Sequence, residues 1–152
     1  MNEISLGDLA RHQGEFIGHS PWKTISQDMI QAFADATGDH QWIHVDVERA
    51  RVESPWRSPV AHGFLTVSLI PLLNQDVIRV TGTAASINYG LNKLRFPAAV
   101  KAGARIRTRV TLQEVTELDP QRVLAAYQTT VEIEGEDKPA CVAENLVMYV
   151  QN

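Results

Sequence analysis

The stretch Ala61–Val77, AHGFLTVSLIPLLNQDV, carries apolar side chains around nearly its whole circumference, and everything after it changes period. Such a segment reads as a helix buried on most sides, because a surface helix would keep one polar stripe. Pro71 cannot donate to the carbonyl of Val67 and its ring crowds that turn, so a kink or break is expected there. Downstream, alternation takes over. Ile106, Thr108, Val110 and Leu112 fall on one face of a strand, with Arg105, Arg107, Arg109 and Thr111 on the other, and Thr129, Val131 and Ile133 keep the period of two. GEDKPA, from Gly135 to Ala140, separates two such runs as a hairpin turn. Strands near residues 83–96, 104–117, 122–134 and 138–150 would form one antiparallel sheet curled around the buried helix. That is an α+β arrangement, and with 152 residues and no repeat or Gly/Ser linker it forms a single domain over residues 1–152.

Upstream, Ser26 is placed to cap a helix over Gln27–Thr37, with Asp28 complementing its positive end. Ile30, Phe33, Ala34 and Thr37 share one face, and Gly38 provides the backbone freedom for the stop. The next residues, GDHQWIH from Gly38 to His44, set Asp39 and His44 on one irregular segment around Trp42. A carboxylate and an imidazole so placed can orient a water and move its proton, as addition of water to an activated double bond requires. Asx-type turn chemistry is the competing reading of Asp39, and a hydrogen-bonded, half-buried ring that of His44. Asp46 begins a short second helix through Ala50, and the region around Trp56, Ser58 and Pro59 reads as loop.

Composition narrows the function classes. A net charge of −4 gives no long-range attraction to nucleic acid or to an anionic membrane surface. No run of eighteen uncharged apolar residues occurs, and the first residues lack a basic segment followed by an apolar one. The single cysteine, Cys141, reads as a small core residue and suits a reducing cytoplasm. His40, His44 and His62 with Asp39 match no short zinc spacing, so no metal site is expected.

The succession FADATGDHQWIHVD, then PVAHGFLTVSLIPLL, then INYGLNKLRFPAAVKAGARI resembles the MaoC-like dehydratases and (R)-specific enoyl-CoA hydratases, in the branch that includes NodN-like proteins, over roughly residues 15–150. The resemblance implies a hot dog fold, a long antiparallel sheet wrapped around a central helix, usually dimeric with active sites near the subunit interface. It implies a hydro-lyase of fatty acid metabolism that adds water reversibly to a trans-2-enoyl thioester of CoA or acyl carrier protein. The thioester is then the substrate, and no cofactor is implied. It makes Asp39 and His44 the catalytic pair and Gly63 the donor to the thioester oxygen, and it matches Ser68 to a family hydroxyl near the site. Gln41 and His62 join the substrate-binding set, although His62 also reads as a structural hydrogen-bonding residue at the helix head. Lys93 and Arg95 are candidates for the CoA phosphates, whereas Arg105, Arg107 and Arg109 read as a solvated face. The family's common form has Asn and Pro where this chain has Gln41 and Trp42, which removes a proline-fixed backbone and leaves Trp42 to pack as a wedge. Two other activities fit the same outline: an acyl-CoA thioesterase and a non-catalytic acyl-thioester binding module.

Overall fold

The computed structural model describes residues 1–152. Strand β1 (Asn2–Ser5) leads through a 3₁₀ turn over Leu6–His12 to β2 (Phe16–His19) and the two-residue β3 (Lys23–Thr24). Helix α1 (Gln27–Thr37) follows, capped as its sequence dictates. The Ser26 hydroxyl accepts the Met29 N–H at 3.2 Å, and Gly38 closes the helix in the left-handed region at φ 82°. Helices α2 (Trp42–Val45) and α3 (Val47–Glu53) come next, the second capped by the Asp46 carboxylate on the Arg49 N–H. A loop brings the chain to α4 (Gly63–Ser68) and α5 (Ile70–Gln75). Strands β4 (Ile78–Thr81), β5 (Thr83–Arg95), β6 (Arg105–Asp119), β7 (Arg122–Ile133) and β8 (Cys141–Gln151) complete it.

The main sheet runs β2–β6–β7–β8–β5 with β3 also on β6, and every pairing in it is antiparallel. The four long strands expected from the sequence are all present, and residues 106, 108, 110 and 112 are buried as the period of two requires. On the opposite face of β6 the arginines are paired: Arg107 with Glu132 at 2.6 Å and Arg105 with Glu134. Arg107 also lies over the Trp22 ring and Arg109 over Phe16. The N-terminal strands escaped the sequence reading because each is four residues or fewer. Strand β1 exists by pairing in parallel with β4, far away in sequence. The sheet packs against α1, α4 and α5 in two apolar clusters. One is built on Ile25, Ile30, Leu65, Ile70, Ile106, Val131 and Cys141, the other on Leu9, Val77, Leu112, Tyr127 and Tyr149. This is the hot dog arrangement.

Two expectations need correction. The break expected near Pro71 is present, but the segment Ala61–Val77 is not buried on most sides. Its hydrogen bonding shifts at Leu69, whose N–H is shared among the carbonyls of Leu65, Thr66 and Val67, and Pro71 starts the new helix where its missing N–H costs nothing. Leu65, Thr66, Ile70 and Leu73 are buried, but Phe64 is 68% and Leu72 47% exposed, so the apolar circumference has an uncovered side. Nor is the segment carrying Asp39 and His44 irregular throughout: His44 sits on α2, held to the chain by Gln27 Nε2, which donates to the His44 carbonyl at 2.8 Å.

Candidate active site

The site is assembled at the head of α4. Gly63 is the first residue of that helix, so its N–H has no acceptor within it. His62, the residue before, is 2% exposed, and its Nε2–H donates to the Asp39 carbonyl at 2.9 Å. That bond spans 23 residues and fixes the loop between α1 and α2 against the helix head. The Asp39 side chain remains exposed, its Oδ1 accepting the Gln41 N–H at 3.3 Å, which is local Asx geometry. The turn reading of Asp39 holds for Oδ1, which shapes the loop, and the second carboxylate oxygen has no protein partner.

His44 is 7% exposed. Its Nδ1–H donates to the Val60 carbonyl at 2.6 Å, which leaves Nε2 as the acceptor. Burial lowers the His44 pKa below the ordinary histidine value. The Val60 hydrogen bond opposes that shift, the nearby His62 ring adds to it, and the Asp39 charge opposes it. At neutral pH the ring is therefore an uncharged base. It stacks on His62 with centroids 3.8 Å apart and planes 24° apart, and Phe33 lies against His62 at 4.9 Å.

The donor atoms of Asp39, His44 and His62 lie within 4.8 Å of one another, a convergence that their sequence spacing did not show. The His44 and His62 rings stack in planes 24° apart, and one polar atom from each of the three residues faces this convergence. His40 takes no part: its Nε2 pairs with Asp35 at 2.9 Å, which raises the His40 pKa and lowers that of Asp35.

The other residues singled out from sequence fall as follows. Gln41 caps α2 by backbone conformation alone, with φ −56° and no side-chain cap bond, and its amide is exposed. Its neighbour Trp42 occupies the first helical position, where a proline is also favoured, so α2 starts in the same manner without the ring constraint. Trp42 is half-buried with the Arg49 guanidinium 4.2 Å above it, so it packs beside the loop. Ser68 donates to the Phe64 carbonyl at 2.6 Å, the internal bond expected of a helical serine, while lining an open cleft of about 420 Å³. Lys93 and Arg95 lie at the end of β5 next to Phe96, whose ring covers Gly63. Cys141 is buried, and burial pushes its thiol up to about 11. The sequence reading missed Gln27, Phe33, Val60 and Phe96, which hold the site from behind. Nothing in their types or spacing marks them, because each acts through a tertiary contact.

Fold and site together define a hot dog domain with a carboxylate and a neutral imidazole at the head of its central helix. A profile of the MaoC like domain matches residues 8–133, and the chain belongs to the MaoC-like dehydratase family. It is 52% identical over 146 residues to 3-hydroxyacyl-thioester dehydratase Z of Mycobacterium tuberculosis, covering 96% of each chain. It is 43% identical to Nodulation protein N of Rhizobium leguminosarum bv. viciae over 152 residues, 99% of this chain and 94% of that one. Among solved structures, R-hydratase PhaJ1 from Pseudomonas aeruginosa superposes with a TM-score of 0.70 at 26% identity, over 91% of this chain and 83% of the other. No helix is long and apolar enough to cross a membrane.

Proposed function

We propose that the protein is a hydro-lyase that adds water reversibly across a trans-2-enoyl thioester, acting as an (R)-specific enoyl-CoA hydratase or 3-hydroxyacyl-thioester dehydratase. The observation that carries this reading is the meeting of the Asp39 carboxylate and the open Nε2 of a neutral His44 within 4.8 Å, beside the unpaired Gly63 N–H. Both groups are acceptors, so one water can give a hydrogen bond to each and turn its lone pair toward a third point. As that lone pair bonds to the carbon beta to the thioester carbonyl, Asp39 takes the proton. The double-bond electrons move onto the thioester oxygen, where the Gly63 N–H stabilises the enolate. Return of a proton to the alpha carbon completes hydration, and the reverse sequence eliminates water. Neither carbon framework nor water changes its overall oxidation level, so the reaction needs no cofactor.

The thioester carrier is CoA or acyl carrier protein, and Lys93 and Arg95 near the end of β5 are assigned to its phosphates. The functional unit is a homodimer. Strand β5 is thirteen residues long with β8 on one edge and nothing on the other, and Ile87, Tyr89, Leu91 and the adjacent Phe96 are exposed. A bare edge flanked by apolar side chains is a template for a second strand, and a second β5 in antiparallel register satisfies two-fold symmetry. A lone buried thiol fits a cytoplasmic protein.

The test is hydration of a short trans-2-enoyl-CoA, followed by loss of enoyl absorbance, on wild type and Asp39→Asn, with the product's configuration determined. Loss of the base should lower turnover by ~10²- to 10⁴-fold. Near-normal turnover by Asp39→Asn sinks the assignment. Release of free thiol in place of hydration identifies a thioesterase, and tight binding without turnover identifies a binding module.

A further inference from the structure

Beyond Ser68, the cleft along α4 continues past Pro71 into a second one of about 490 Å³ between α5 and the sheet. The two share Pro71, Asn88 and Asn145. The first is lined by Val67, Ile70, Leu91 and Leu146, as suits a hydrocarbon chain. The second is different. Asn74 of α5, Asn145 of β8 and Tyr127 of β7 line it together with Tyr149, and the buried Thr129 lies behind them. Asn74, Thr129 and Asn145 belong to neither apolar cluster, and Tyr127 and Tyr149 bring hydroxyls into the second, where purely hydrophobic packing would cost less.

Their hydrogen bonds do not close. The Tyr127 and Tyr149 hydroxyls meet at 2.8 Å and have no other partner, so of two phenolic protons only one is accepted. Burial raises both tyrosine pKa values and keeps both groups protonated. Thr129 donates to Asn145 Oδ1 at 2.5 Å, yet the Asn145 amide N–H₂ meets no acceptor. Asn74 reaches Thr129 through Nδ2 at 3.5 Å, and its buried Oδ1 accepts nothing. A phenol proton and an amide N–H₂ are thus left without acceptors, and one amide oxygen without a donor, around a single cleft. A plain alkyl tail bound there would strip the exposed donors of water and give them no acceptor in return.

We propose that this inner cleft recognises a neutral oxygen function, a hydroxyl or carbonyl, on the distal part of the acyl group, so that the preferred substrates are oxygenated long-chain acyl thioesters. The inference rests on the thioester reading of the site at the head of α4. Asn74 lies eleven residues beyond Gly63 across the two consecutive helices, at most roughly 16 Å at the helical rise. That is about a dozen covalent bonds of an extended chain. A hydroxyl or a carbonyl there accepts from the Asn145 amide or the free tyrosine proton, whereas the buried Asn74 Oδ1 is closed to the cleft.

The experiment compares a twelve-carbon trans-2-enoyl-CoA with its counterparts bearing a terminal hydroxyl or a keto group at the neighbouring carbon. The readouts are kcat/KM for hydration and, by calorimetry, binding of the corresponding saturated acyl-CoAs, which cannot react. An oxygenated chain should be preferred by about tenfold in both, the equivalent of one to two neutral hydrogen bonds. The double variant Tyr127→Phe/Tyr149→Phe, which removes both phenolic protons, and Asn145→Leu should each bring the ratio of oxygenated to plain substrate toward one, with the melting temperature showing that each variant is folded. Equal handling of plain and oxygenated chains by wild type overturns the inference while leaving hydration intact. A ratio that survives both substitutions also overturns it. Preferential binding of saturated oxygenated chains without turnover of any enoyl substrate supports the cleft assignment and removes the hydratase reading.

Discussion

Replacing Gly63 by Ala places a methyl carbon 2.9 Å from both Cδ2 and Cε2 of the Phe96 ring and 3.1 Å from its Cζ. Unbonded carbons sit comfortably at ~3.5–4.0 Å, so the overlap is roughly 0.5–1 Å on three atoms at once. Either the ring or the helix head must move. Phe96 is 41% exposed and can swing outward, which puts the stability cost near the low end for overpacking, about 1 kcal/mol. For a chain of this length that is a fall of roughly 2–4 °C in Tm. In the proposed mechanism the functional cost is larger, because any recoil of the helix head displaces the Gly63 N–H from the enolate oxygen, and a misplacement of about 1 Å can cost ~10²-fold. Enoyl-CoA hydration should therefore drop by roughly 10- to 100-fold in kcat/KM, with a modest loss of Tm by thermal denaturation. The clash names its own rescue: in Gly63→Ala/Phe96→Ala the ring is gone, and the double variant should recover at least part of both losses relative to Gly63→Ala. Strict additivity of the two substitutions would refute the steric argument. Wild-type turnover by Gly63→Ala would refute the placement of the enolate at this N–H.

Three further expectations follow from the geometry. Because His44 has a lowered pKa in the folded protein, the unfolded chain binds the extra proton first as pH falls. Its contribution to stability is complete above the unfolded histidine value and is lost as pH drops from there through the folded pKa. Denaturant unfolding across that range should show a smaller pH slope in His44→Gln than in wild type, the comparison cancelling the opposite trend from His40, whose pKa is raised; equal slopes refute it. Ser26→Ala removes the acceptor for the Met29 N–H and should cost about 1 kcal/mol by denaturant unfolding, and no loss would show that the cap is dispensable. Tyr89→Lys or Leu91→Asp on β5 should shift sedimentation toward the monomer, whereas an unaltered mass would place the subunit contact elsewhere.

Much of the fold was legible because local chemistry and final structure agree. Helix α1 begins at a serine cap and ends at a left-handed glycine, and both signals act within four residues of the boundary. Strands β6 and β7 bury one face, so their period of two survives in the sequence. Strand β5 was placed without such support: almost all of it is exposed in the single chain, and it is held by its pairing with β8. The resemblance named Asp39, His44 and Gly63, but not why His44 is neutral or what fixes Asp39.

The sequence by itself determined the caps, the alternating strands, the break near Pro71 and the presence of a carboxylate and an imidazole on either side of Trp42. Those depend on interactions between near neighbours, for which residue type and spacing suffice. Tertiary structure decided the rest. It pairs β1 with β4 across more than seventy residues, brings the His62 ring to the Asp39 carbonyl and onto His44, and supplies the Val60 carbonyl that sets the His44 tautomer. It also gathers asparagines and tyrosines from α5, β7 and β8 around one cleft. No local propensity encodes these meetings, because each partner is chosen by the way the sheet folds over α4 and α5, and only there do burial and unpaired hydrogen bonds acquire their energetic meaning.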